Sequence, residues 1–141
     1  VKTQRFLIAV EGTFADGRSL NAEEIRAMVA NFNYEKLLVP VTYAHYCWSP
    51  LLSEVVALGC DAINHQMHLY AEIKVTEELK EIAGRALIHH LVPEVMPGEG
   101  NNDSLTILCG VGVTQNSIIP GLDVLQFDRA NHENTIFRSG K

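Results

Sequence analysis

Apolar residues fall into two rhythms along this chain, one with period two and one with helical spacing. Arg5 to Glu11 is a β-favouring run that stops at Gly12, the pattern of a buried first strand. A turn signature follows at Asp16-Gly17-Arg18, and Asn21 with Glu24 three residues on can satisfy the free N–H groups of a helix start. Ile25, Met28, Val29 and Phe32 then share one helical face. Leu37 to Ala44 reads as a second strand that delivers His45 at its end, with Pro40 suited to an edge or a strand's beginning. Val55 to Leu58 and Met67 to Val75 predict two strands joined by a polar turn over Asp61 to Gln66. In the second, Met67, Leu69, Ala71 and Ile73 alternate with His68, Tyr70, Glu72 and Lys74.

Thr76 caps a second predicted helix, with Glu77 and Glu78 in its first turn and Leu79, Ile82, Ala83 and Ala86 as its apolar stripe. Pro93 and Pro97 bracket a short extended piece, Glu94 to Met96, before a Gly98 to Asp103 loop. Leu105 to Thr114 and Leu122 to Phe127 predict the last strands, and the polar stretch after Arg129 reads as a frayed tail. About six or seven strands with two helices make an α+β domain with an antiparallel or barrel-like sheet.

A chain of 141 residues, 47% hydrophobic and 20% charged, fits one compact domain without staples. The net charge of −6, with 11 scattered basic residues, argues against a phosphate-neutralising surface and so against a nucleic-acid partner. Cys47, Cys60 and Cys109 lack CxxC spacing and read as reduced thiols of a cytoplasm. The sequence shows no secretory leader, and its apolar runs are too short to predict a membrane span.

Ala9-Val10-Glu11-Gly12, Asp16-Gly17-Arg18 and the helix from Ala22 to Phe32 resemble the opening of phage capsid-scaffolding proteins that carry their own serine protease, the GPO-type family. Further blocks follow in the family's order: the strand ending in His45, Glu54 to Leu58, Leu69 to Ile73, Thr76 to Leu79, Glu94 to Pro97, Gly110 to Thr114 and Leu125 to Phe127. The resemblance implies a protease-like domain over residues 5–128, with a fold similar to herpesvirus assemblin-type proteases; no cofactor or metal is expected. It implies cleavage of capsid and scaffold proteins during head assembly. The implied partners are the phage major capsid protein and further copies of the chain, and the implied place is the assembling procapsid in the bacterial cytoplasm. The helical scaffolding segment that follows this domain in the family is not expected within the chain, which ends at Lys141.

The same resemblance implies site residues in the order Asp, His, Ser. Asp16 would orient the imidazole of His45, and His45 would take the proton of the attacking hydroxyl. The matched serine position falls on Val92, in Leu91-Val92-Pro93-Glu94-Val95, and valine has no nucleophilic atom. Pro93 also lacks an N–H that an oxyanion hole could use. Loss of hydrolytic activity is therefore expected. The alternatives are an active peptidase using another Ser or Cys, and a capsid-assembly module that keeps the fold for its surface. Ser104, after Asn101-Asn102-Asp103, is the nearest substitute hydroxyl, although a loop serine is more often a turn residue. Cys47 and Cys109 read as core thiols. Cys60, His65, His68, His89 and His90 match no zinc spacing, and the histidines read as exposed, with His89 and His90 suited to a helix C-terminus. Glu11 and Arg18 would form at most a minor surface pair.

Overall fold

A computed structural model of the chain describes residues 2–13, 19–43, 50–84, 89–98, 100, 102–115 and 122–127. Its strands are β1 (Thr3–Val10), β2 (Gly12–Thr13), β3 (Ser19–Leu20), β4 (Pro40–Tyr43), β5 (Ser53–Ile63), β6 (Gln66–Lys74), β7 (His90–Met96) and β8 (Ile107–Thr114). Two helices, α1 (Ala22–Asn31) and α2 (Glu77–Ala83), and a 3-10 turn at Asp103–Leu105 complete the described elements. Six strands form one sheet in the order β1-β6-β5-β4-β8-β7, while β2 and β3 pair with each other. Every pairing in the large sheet is antiparallel except β4 with β8. The fold is therefore α+β with a mixed, mainly antiparallel sheet.

Local chemistry explains most of these elements. Asn21 Oδ1 accepts from Glu24 N at 2.7 Å while Glu24 Oε1 accepts from Asn21 N at 2.9 Å, so the predicted capping box starts α1. Thr76 Oγ1 caps α2 by accepting from Leu79 N at 3.2 Å. In β6 the predicted alternation holds, with Leu69, Ala71 and Ile73 all fully buried. The β5–β6 hairpin turns on Asn64 and His65, whose φ angles of 53° and 66° are those of a two-residue turn. In β1 the register slips between Leu7 and Ala9, and this bulge lets two consecutive residues, Ile8 and Ala9, both point into the core.

Phe6, Ile8, Leu69, Ile73, Leu91 and Leu108 from the sheet bury against Ile25 and Met28 of α1 and Leu79 and Ile82 of α2. Each such side chain contributes about 1.5–3 kcal/mol of transfer free energy. The sheet curves until β1 approaches β7, and residues 122–127 stitch the two together. Asp123 Oδ2 accepts from Leu7 N at 2.8 Å, Leu125 N donates to His89 O at 2.8 Å, and Gln4 Nε2 donates to Gln126 O at 3.0 Å. Phe127 meets Phe6 edge-on at 5.8 Å between ring centres.

Three expectations need correction. Leu122 to Phe127 is not a strand of the sheet, since its single bridge is Val124 to His90. The short extended piece before Pro97 is the end of a seven-residue strand, β7, which runs straight through Pro93. Proline is tolerated there because β7 ends the sheet order and the ladder needs its N–H groups on one side only. Finally, His90 opens β7 instead of closing a helix, and His89 is not exposed but buried at 3% exposure, with Nδ1 lacking a hydrogen-bond partner. The remaining fold prediction of a tail after Arg129 lies outside the described residues.

Candidate active site

Asp16 and His45 lie outside the described residues, as do Arg18 and Cys47. The described neighbours of the first are β2 and β3, which pair Gly12 with Leu20 and Thr13 with Ser19. The last described residue before His45 is Tyr43, at the end of β4 and opposite Val113 of β8. Glu11 is committed to the sheet: its Oε1 accepts from Met67 N at 2.9 Å and its carbonyl accepts from Gln66 Nε2 at 3.1 Å.

Val92 lies in the middle of a ladder. It pairs with Gly112, between Leu91 paired with Val113 and Pro93 paired with Val111, and it packs half-buried against the core. Its side chain performs packing work in a sheet and offers no atom for proton transfer or attack.

Ser104 has the opposite surroundings. It is exposed, in the 3-10 turn between Asn102 and β8, and its hydroxyl donates to Asn102 Oδ1 at 2.6 Å. Asn102 Oδ1 also accepts from Ser104 N at 3.1 Å, an Asx turn that fixes the backbone beneath the hydroxyl. Asn31, the last residue of α1, donates Nδ2 to the carbonyls of Ser104 and Thr106, both at 3.0 Å. Asn21 Nδ2 donates to Asp103 Oδ2 at 2.8 Å, so the cap of α1 holds the same turn from its other end. Gly98 backs the turn: a Cβ there would run into the Asn102 carbonyl and lie 2.9 Å from Leu105 Cβ.

Two other described hydroxyls and the two described thiols are less suited to attack. Ser53 is buried, and its Oγ is spent on Lys74 O at 2.6 Å. Thr106 is fully buried, and its Oγ1 has no hydrogen-bond partner. Burial pushes the Cys60 thiol above its ordinary value, and burial with the nearby Glu94 does the same for Cys109. Both are therefore poorer thiolates than a free cysteine. Cys109 Sγ in addition donates to Glu94 O at 3.1 Å. Among the described residues no three of His, Cys, Asp and Glu come together as a metal-binding group.

Sequence reasoning named Ser104 but missed Asn31, Asn102 and Gly98 as its supports. Asn102 was legible in principle, since Asn-Asp-Ser is a sequence that closes an Asx turn. Asn31 carries no such signal, because its acceptors lie 73 and 75 residues away.

Comparison with known proteins gives one family. The GPO serine peptidase N-terminal domain matches residues 3–130, and it does so across both the Val92 ladder and the Ser104 turn. No match is found among curated proteins or solved structures. Since the family match spans nearly the whole length, from the first strand to beyond the stitching segment, the chain belongs to the phage GPO serine peptidase family through its N-terminal domain.

Proposed function

We infer that this domain is a serine endopeptidase of phage head assembly, acting on capsid and scaffold proteins, with Ser104 as nucleophile, His45 as general base and Asp16 as its orienting partner. The observation that carries the reading is the setting of Ser104, an exposed hydroxyl on a turn fixed by side chains from three sites in the chain. Among the described serines that follow His45, Ser53 is buried and bonded, which leaves Ser104 to keep the Asp, His, Ser order. In the reaction the Ser104 Oγ bonds to the scissile carbonyl carbon as His45 takes its proton. The same proton then passes to the leaving amine as the C–N bond breaks, and water hydrolyses the acyl-enzyme.

A second reading, loss of hydrolysis with retention of the fold as a capsid-binding module, is favoured by the block spacing that aligns Val92 with the family's serine. A fluorophosphonate probe separates the two. The expected result is stoichiometric label on Ser104 that vanishes in Ser104→Ala and slows by about a hundredfold or more in His45→Ala. Incubation with the cognate capsid protein should give cleavage with the same dependence. A folded chain that takes no label at Ser104, yet co-sediments with procapsids, supports the binding module instead.

A further inference from the structure

The turn that presents Ser104 also occupies its only proton. Ser104 Oγ donates to Asn102 Oδ1 at 2.6 Å, and a serine hydroxyl has one hydrogen to give. The carboxamide oxygen is an acceptor that cannot take the proton away, so a hydroxyl bonded to it is ordered but not activated. Nothing else in the turn requires this bond. Leu105 N donates to Asn102 O at 3.1 Å, Thr106 N donates to Asp103 O at 3.2 Å, and Ser104 N has Asn102 Oδ1 without help from the hydroxyl.

Resting on the assignment of Ser104 as nucleophile, we propose that Asn102 is a positioning residue that competes with the general base for the Ser104 proton and holds the site in a resting state. Attack then requires the O–H to leave Asn102 for the base, and the bond to Asn102 is part of the barrier. Asn102 is exposed, so removing its side chain opens no cavity.

Asn102→Ala also removes the acceptor of Ser104 N, but the turn keeps its bonds from Asn31 and Asn21, and the rate of fluorophosphonate labelling at Ser104 is expected to rise about fivefold, the factor that the one hydroxyl bond is worth. Asn102→Gly, a residue that turns tolerate well, should give the same acceleration. The control is Ser104→Cys, because a thiol is a weak donor and has little to gain from release. In that background Asn102→Ala should change iodoacetamide alkylation by less than about twofold. Labelling that is unchanged or slower in the folded variants overturns the role of Asn102, as does equal acceleration of serine and thiol, which would mark a loosened turn. If Ser104 takes no label in the unaltered chain or in either Asn102 variant, the nucleophile assignment fails, and this inference with it. Label in the unaltered chain without acceleration removes the role of Asn102 alone.

Discussion

Replacing Asn31 tests whether α1 holds the Ser104 turn, and two substitutions give different answers for a physical reason. Asn31→Ala deletes both Nδ2 bonds, one to the exposed Ser104 carbonyl and one to the carbonyl of fully buried Thr106. Each neutral bond is worth about 1 kcal/mol net, and alanine returns roughly 0.6 kcal/mol of helix propensity. The expected loss is therefore about 1–1.5 kcal/mol. Asn31→Asp is nearly isosteric but puts a carboxylate where a donor faced two carbonyl oxygens, at a helix C-terminus that disfavours negative charge by about 0.3–1 kcal/mol. With no propensity returned, its loss should reach about 2–3 kcal/mol. Urea unfolding at constant slope measures both, and the aspartate should have the lower midpoint. An aspartate variant as stable as the alanine variant would show that Asn31 does not bridge the two carbonyls.

Further outcomes follow from single contacts. Gly98→Ala should cut fluorophosphonate labelling of Ser104 by tenfold or more, on the order of a misplaced reacting group, because its Cβ meets the Asn102 backbone; Gly59→Ala, with open space around it, is the control. Lys74 donates to Glu54 across 2.6 Å and holds that carboxyl below its ordinary range. Its stabilisation is thus present above the unfolded carboxylate value and lost as pH falls through the folded one. Glu54→Gln should accordingly lower the melting temperature slightly at neutral pH, less so in high salt, and match the unaltered chain in acid. His89→Leu should be neutral or stabilising in urea unfolding, since the buried Nδ1 it removes has no partner to lose.

What the sequence made legible was whatever closes within a few residues. Asn21 with Glu24 and Thr76 with Leu79 N are caps complete within three positions, and both were readable. The alternation of β6 was readable for the same reason, since one strand states which of its faces is buried. Strand β7 was only partly readable, because Pro93 and Pro97 read locally as breaks. Whether a proline breaks a strand depends on its place in the sheet, and the edge position of β7 is set by pairing with residues up to 24 further on, as in His90 with Thr114. His89 was misread for a related reason: it is buried, and its carbonyl accepts from Leu125 N, a partner far along the chain that nothing near His89 announces. In the site, residue types were legible but most of their supports were not: Ser104 is a turn residue by every local rule, and the bonds that tie its turn to α1 come from a distant part of the chain.

Counting from the Thr76 helix start puts the nucleophile at Val92, but a count fixes a position in the chain and not a setting. A serine in place of Val92 would stand in mid-ladder opposite Gly112, half-buried against the core, with its backbone held by strand pairing. Catalytic groups are found more often on loops held by a rigid scaffold, which is how Ser104 is held. The two positions therefore make opposite forecasts for one pair of variants. Val92→Ser alone should leave labelling unchanged to within about twofold, and in a Ser104→Ala background it should restore none. Mass-spectrometric mapping of the fluorophosphonate adduct reads both directly. Label appearing on residue 92 would show that the family's nucleophile belongs in β7 and was lost there, and Ser104 would return to being a turn residue.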